Sequence, residues 1–510
     1  MKAVFRAVAL VAVTFALTLS AVAEVKLPAI FSDHIVLQRD TAVPVWGWAK
    51  PGEQVTVEFA GQKKTATAAA DGKWLVKLDP MPASAEPRTM TVADSIQNPK
   101  SQIQNVLVGE VWLGSGQSNM AMTANRAKDF EQEQAAANQP LIRMFAVTSG
   151  PADKAQDDCK GAWAVCSSES VGSFSATAFF VGREIHKALR VPVGLINSSV
   201  GGTPIESWIS PEAQQASPEL KAFFEEQKAA DAKFDAAAAK ANYEKSLARW
   251  KETAARAKAE GKPIPQRPRD PLEIRARKGN VGGLFNGKIA PLIPFAIRGA
   301  LWYQGEANSS PAKAVFYQHQ LPLLVRDWRA RWGYEFPVAW AQLPNYNAPG
   351  RDWPLTREAM LKSLKVPNTG MAITIDIGDP KDIHPKNKQE VGRRLGLWAL
   401  ATVYGQKGVA ASGPLPAGHQ IRGSEVVLSF KHTDGGLVAK GGELKGFAIA
   451  AEDRKWLPAQ ARVEGDKVVV SHPDVKKPVA ARYAWTDNPE CNLANGAGLP
   501  ASPFRTDDWN

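Results

Sequence analysis

The hydrophobic pattern changes its period along the chain. Over residues 24–105, apolar and polar positions alternate every second residue, as in Val43-Pro44-Val45-Trp46-Gly47-Trp48 and Val55-Thr56-Val57-Glu58-Phe59. That period predicts strands with one covered face. Asp71-Gly72, between two such runs, predicts a hairpin turn, and the segment reads as a small β-sandwich. From residue 106 the pattern becomes strand–helix alternation. The apolar run Val106–Leu113 predicts a buried strand, Phe174–Leu189 has helical spacing, and Val191–Asn197 predicts a second buried strand. Further strands are expected at Ile297–Tyr303, Pro337–Leu343 and Met371–Ile377, with helices at Ala314–Arg331 and Lys388–Tyr404. Such alternation implies a mostly parallel sheet covered on both faces, with ligands at the carboxyl ends of its strands.

Residues 211–278 interrupt this domain of about 106–412. They are rich in Ala, Lys and Glu, notably over Ala229–Ala259, and then break at Pro263, Pro265, Pro268 and Pro271. No apolar heptad persists, so an exposed helical insertion is expected rather than a coiled coil. Past residue 412 alternation returns in Val426–Phe430 and in Val468-Val469-Val470 after the turn Gly465-Asp466-Lys467. Residues 413–510 therefore read as a second β-rich domain.

A chain of 510 residues accommodates about three domains. Its net charge of +11 is spread along the chain. No Lys/Arg block is interleaved with aromatics, so no nucleic-acid partner is expected. Residues 1–23 have the form of an export leader: Lys2 and Arg6, an apolar core over Val8–Leu19, and the small-residue cleavage pattern Ala21-Val22-Ala23. The apolar run is too short for a membrane span. The expectation is an exported protein, periplasmic or secreted, with no span in its mature form. Cys159 and Cys166 are near enough in sequence to close a small loop, which leaves Cys491 over. Three thiols without partnered histidines make a poor zinc site, and no metal is expected. Trp46, Trp48 and Trp74 are candidates for binding sugars in the first β domain, with core or interdomain packing the favoured reading.

The candidate chemistry centres on Val111-Trp112-Leu113-Gly114-Ser115-Gly116-Gln117-Ser118-Asn119-Met120. A serine at a strand-to-helix turn presents its hydroxyl at the open end of a sheet, beside backbone N–H groups where an oxyanion would form. Three other strand ends carry unusual residues: Gly201-Gly202-Thr203, Gln304-Gly305-Glu306-Ala307-Asn308 and Asp382-Ile383-His384-Pro385. Of 7 histidines, His34 falls in the first β domain, His186 and His319 in helix-like runs, and His419, His432 and His472 in the last β region. His384 alone follows a strand of the α/β domain. Asp382, two residues earlier, is placed to hold one imidazole nitrogen while the other takes a serine proton. Oxyanion donors are expected from the Ser118 N–H, a glycine at 201 or 202, and the Gln304 side-chain amide.

Gly116-Gln117-Ser118-Asn119-Met120, Gly201-Gly202-Thr203 with Trp208, Trp302-Tyr303-Gln304-Gly305-Glu306 and Asp382-Ile383-His384-Pro385 resemble, in order, the signature blocks of the sialate O-acetylesterase family. That family is similar to SGNH hydrolases and acetylxylan esterases. Leu27–Asp33 and Gly498–Asp507 share the resemblance. It implies a three-layer α/β/α SGNH-type, flavodoxin-like hydrolase domain with accessory β-sandwich domains. It also implies a serine esterase that removes acetyl groups from sugar hydroxyls without metal or cofactor. Ser118 would be acylated, His384 would act as base and then acid, and Asp382 would orient His384. The general SGNH pattern places its Asp three residues before the His and uses Asn in the third block. Here the spacing is two and the third block offers Gln304, so Glu306 stands as an alternative carboxylate. The expected partner is an O-acetylated glycan or oligosaccharide, either sialic acid or plant-wall xylan or xyloglucan fragments, with Trp208, Trp302 and Trp353 as candidates to stack on sugar rings. The competing readings are a non-catalytic carbohydrate-binding protein and a lipase-like esterase of the same fold.

Overall fold

The computed structural model describes residues 25–94, 101–278 and 280–509; the leader-like residues 1–23 lie outside them. One strand, Ser101–Gly116, organises the molecule. Its first part pairs antiparallel with Ser84–Asp94 of the N-terminal module and its middle runs parallel to Val36–Gln38. Its last part lies between Val193–Ser199 and Gly299–Tyr303, parallel to both. The boundary expected at 105/106 thus falls inside a single strand.

In the N-terminal module, Val43–Trp48 pairs with Lys73–Leu78, while Gln54–Phe59 pairs with Gln62–Thr67 and Ser84–Asp94. The Asp71-Gly72 turn forms, with Gly72 at φ +80°, but not as the expected hairpin. The strands on either side of it belong to different ladders: Ala68 N–H still bonds Glu53 O at 2.8 Å, one step beyond the Gln54–Thr67 pair, and the chain leaves that ladder after it. Alternate side chains such as Val45, Trp74 and Val76 from one ladder and Val55, Val57 and Phe59 from the other are buried between them. Trp46 and Trp74 belong to this packing, and Trp48 is half-buried beneath Lys26, whose Nζ stands 5.1 Å from its ring.

The large sheet runs, in spatial order, Thr369–Ala372, Val338–Ala341, Gly299–Tyr303, Ser101–Gly116, Val193–Ser199, Ile142–Ala146 and Trp163–Val165; only the last edge strand is antiparallel. Successive residues take opposite faces. Val111, Leu113, Ala300 and Trp302 pack in one apolar core, while Trp112, Leu301 and Tyr303 pack in the other. Both faces are therefore dry, and the expected three-layer arrangement is present. Helices Ala176–Leu189 and Lys388–Trp398 cover one face at close range: a Cβ on Gly392 would stand 2.3 Å from Phe180 Cβ. Pro311–Trp332 lies over the other, with Tyr317, Leu321 and Trp328 in its core.

The insertion forms helices Pro211–Gln215, Lys221–Ala232, Ala236–Ala259 and Pro271–Lys278. In the two longest, only Phe223 and Ala257 are buried. The C-terminal module has two four-stranded sheets and a two-stranded one around its own core of Val426, Ile449, Val470 and Tyr483. Arg357, fully buried, joins it to the α/β domain by donating to Leu343 O, Pro344 O, Thr486 O and Asp487 O. Cys159, Cys166 and Cys491 are free thiols, and no Cys159–Cys166 bridge closes a loop. Burial pushes the Cys159 and Cys166 thiols up to about 12. No helix among the described residues is long and apolar enough to cross a membrane.

Candidate active site

The register brings three strand ends level. Gly116 pairs with Ser199 on one side and with Tyr303 on the other. Ser118 is reached through Gly116, whose φ of +133° favours glycine; a Cβ there would stand 2.2 Å from Tyr303 O. The turn is pinned from both sides, Gln117 N–H donating to Tyr303 O at 2.9 Å and Val200 N–H to Gly116 O at 3.1 Å. Ser118 then opens the short helix Ser118–Ala121, so its own N–H has no intrahelical acceptor. It sits at the point where strand order reverses, which is where open α/β sheets bind ligands.

His384 arrives from beyond the strand Thr369–Ala372. Its Nε2 lies 2.8 Å from Ser118 Oγ. Asp382 Oδ1 accepts the His384 backbone N–H at 2.9 Å and stands 3.5 Å from its Nδ1. Burial holds the imidazole pKa below its usual value; Asp382 opposes this, while the charges of Lys388 and Arg126 add to it. Glu306, the alternative carboxylate, does not take the imidazole. Its Oε1 accepts from Asn119 Nδ2, its Oε2 has no partner, and burial raises its pKa.

Gly201 lies against the serine: a Cβ on it would stand 3.4 Å from Ser118 Cβ. Gly202 turns the chain at φ +74° with open space around it. The Gln304 amide, expected as an oxyanion donor, is committed elsewhere. Its Nε2 donates to Thr203 O at 3.2 Å and to Asn308 Oδ1 at 2.7 Å, and Tyr317 O–H donates to its Oε1 at 2.9 Å. Both amide protons are spent, and the side chain is fully buried. Gln304 acts instead within a buried network in which Asn308 Nδ2 donates to Glu206 Oε2 at 2.7 Å and Lys313 pairs with Glu206 at 2.8 Å.

The tryptophans expected to stack on sugar are corrected as well. Trp208, Trp302 and Trp353 are 0%, 1% and 0% exposed, so no sugar face reaches them. Trp302 lies in a strand covered on both faces and packs edge-on to Trp208, their ring centroids 6.1 Å apart. Their polar tips are spent on hydrogen bonds inside the protein. Trp208 Nε1 donates to Thr203 Oγ1 at 3.0 Å, Trp302 Nε1 to Tyr317 Oη at 3.1 Å, and Trp353 Nε1 to Pro344 O at 2.7 Å.

Sequence reasoning passed over Asn119 and Lys388. Asn119 Nδ2 also donates to Ile383 O at 3.0 Å, and Lys388 Nζ donates to Asn119 Oδ1 at 2.6 Å while standing 5.1 Å from the Tyr303 ring. Burial lowers the Lys388 pKa to about 7, with Glu306 opposing. One signal was available: Lys388 is the first residue of its helix, where the macrodipole disfavours a cation. Among the described residues, no group of three or more His, Cys, Asp or Glu side chains is arranged to hold a metal.

Residues 108–259 and 287–401 match the family model described as carbohydrate esterase, sialic acid-specific acetylesterase. The chain is similar to the sialate O-acetylesterases of Mus musculus (29% identity, 92% of each chain) and Homo sapiens (28% identity, 93% of this chain and 91% of that one). It is also similar to a novel carbohydrate acetylesterase from Xanthomonas citri, a solved structure with 34% identity and a TM-score of 0.81, over 95% of this chain and 100% of that chain.

Proposed function

The chain belongs to the sialic acid-specific acetylesterase family of carbohydrate esterases, and from that premise we propose that this carbohydrate O-acetylesterase works through a covalent acetyl-enzyme on Ser118. The observation that carries the mechanism is the 2.8 Å contact between Ser118 Oγ and His384 Nε2 at the carboxyl edge of the sheet. With the imidazole proton on Nδ1, facing Asp382, Nε2 accepts the serine proton as Oγ attacks the acetyl carbonyl carbon. The tetrahedral oxyanion takes hydrogen bonds from the Ser118 N–H and from an N–H of the Gly201-Gly202 pair. Collapse breaks the ester C–O bond, and the imidazolium gives its proton to the departing sugar oxygen. In the second half His384 takes a proton from water, whose oxygen attacks acetyl-Ser118. Breakdown of that intermediate releases acetate and returns the proton to Ser118. Asp382 stabilises the imidazolium in both halves.

The proposed substrate is an O-acetylated glycan, and export is part of the reading, resting on the leader pattern of residues 1–23. The test is acetate release from O-acetylated sialic acid and from acetylated xylan or xyloglucan oligosaccharides, side by side, with Ser118→Ala as control. Serine-dependent release from one of them identifies the substrate class. Release from neither, or release that survives Ser118→Ala, overturns the reading.

A further inference from the structure

Tryptophan is the residue least cheaply left in water, so the half-exposed ones are informative. Of the 16 tryptophans, eleven are buried. Three of the other five, Trp456, Trp485 and Trp509, share one cavity of about 530 Å³. It lies between the C-terminal module and the α/β domain, whose Val315 and Asp352 form the opposite wall. A second depression of about 500 Å³ adjoins it, with Trp456, Arg482 and Trp485 as the shared ridge. Neither cavity is lined by Ser118, His384, Gly201 or their hydrogen-bonding partners.

The rings are held in place by arginines. Trp456 and Trp509 have centroids 5.5 Å apart. The Arg482 guanidinium stands 4.2 Å from the Trp456 ring and 5.5 Å from that of Trp485, and the Arg505 guanidinium 5.0 Å from Trp485. Those two arginines are fixed in turn: Arg482 donates to both oxygens of Asp507 at 2.8 and 2.6 Å, and Arg505 to both oxygens of Glu358 at 2.9 and 3.1 Å. The aromatic panels are therefore set before any ligand arrives, which cuts the entropy cost of binding. Arg454 is different. It is exposed, its guanidinium lies 5.2 Å from the Trp509 ring, and its side chain makes no hydrogen bond or ion pair among the described residues. Its planar set of N–H donors is open at the rim.

Flat apolar faces beside open planar donors match a pyranose, which has a C–H face and an equatorial belt of hydroxyls. We propose that this groove is a second glycan-binding site, in which Trp456, Trp485 and Trp509 carry sugar rings and Arg454 bonds their hydroxyls or a sugar carboxylate. Two adjoining depressions give it room for several linked residues. The site retains the glycan chain whose acetyl groups Ser118 removes. That purpose rests on the esterase reading, whereas binding itself does not.

The test separates the two. In the full-length Ser118→Ala protein, calorimetry measures binding of deacetylated xylo- and xyloglucan oligosaccharides in one arm and of sialylated oligosaccharides in the other. Binding in one arm, weakened about tenfold by Trp485→Ala and by the peripheral pair Arg454→Ala/Trp509→Ala, is expected; tenfold is the loss of one good ring contact. In the Ser118-containing protein the same substitutions leave hydrolysis of 4-nitrophenyl acetate unchanged and raise KM on the acetylated oligosaccharide. Oligosaccharide binding that is unaffected by both variants overturns the proposal. So does an absence of binding in both arms, or a concentration-dependent dimer that both variants abolish, which would make the groove a self-association surface. Failure of the esterase reading would show separately, as absent acetate release from the Ser118-containing protein.

Discussion

Lys388 Nζ donates to Asn119 Oδ1 at 2.6 Å, which ties the helix that follows His384 to the turn that carries Ser118. The same Asn119 holds Glu306 and the carbonyl of Ile383, the residue between Asp382 and His384. One asparagine thus connects three of the four strand ends that form the site, and it brings a buried cation close to the imidazole.

That cation sets an expectation for pH. His384 must be neutral to accept the serine proton, so kcat/KM falls as pH drops through its pKa. Burial, with Lys388 and Arg126, depresses that pKa below 6.5, and the acid limb of the wild-type profile should lie below pH 6.5. Lys388, at about 7, is still charged there. Lys388→Met removes a charge that disfavours imidazolium and should move the limb upward. A limb that stays in place or moves down, in a variant with an intact thermal melt, would remove Lys388 from this role.

Ser118→Ala should reduce acetate release by about 10⁴ or more. The melting temperature should hardly change, since Ser118 is only half-buried and its partner His384 retains solvent access. Residual activity near wild type would refute Ser118 as nucleophile.

The two carboxylates should separate in mutant kinetics. Asp382→Asn should lower kcat by about 10², less than the roughly 10⁴ seen for a buried aspartate bonded to imidazole, because Asp382 is 46% exposed and 3.5 Å from Nδ1. Glu306→Gln keeps an acceptor for Asn119 and should cost less than about tenfold. The reverse order would transfer the orienting role to Glu306.

The paired glycines should fail in different ways. Gly201→Ala places a methyl 3.4 Å from Ser118 Cβ and should depress kcat/KM with little loss of stability. Gly202→Ala meets open space but keeps φ +74°, a conformation that costs an alanine about 1–2 kcal/mol, so its thermal midpoint should fall. Parallel kinetics and melts of both variants distinguish obstruction from strain.

Trp302→Ala should destabilise the protein by about 3–5 kcal/mol, as expected for a buried aromatic, instead of simply raising KM. A pure KM effect at unchanged stability would contradict its burial at 1% exposure.

Much of this was legible from the chain alone. The change from period two to strand–helix alternation marked the α/β domain, because periodicity records which faces are covered and that is a local property. Gly116 and Gly202, at φ +133° and +74°, likewise carried backbone constraints that no other residue meets as easily. Ser118 and His384, 266 residues apart, were named by residue type and by their places after strands. Folding decided where polar and aromatic side chains spend their contacts. Gln304 had the right donors, but Thr203 O and Asn308 Oδ1 take them; Trp208 and Trp302 had the right rings, but each other and Trp328 enclose them. Lys388 carried no signal beyond its place at the start of a helix, and only the fold buries it and sets its ammonium on Asn119. Hydrogen-bond donors and ring faces are satisfied by whichever groups the tertiary structure brings near, some a few residues along the chain, as Asn308 is to Gln304, and others far from it, as Asn119 is to Lys388, 269 residues apart, and side-chain periodicity does not encode that choice.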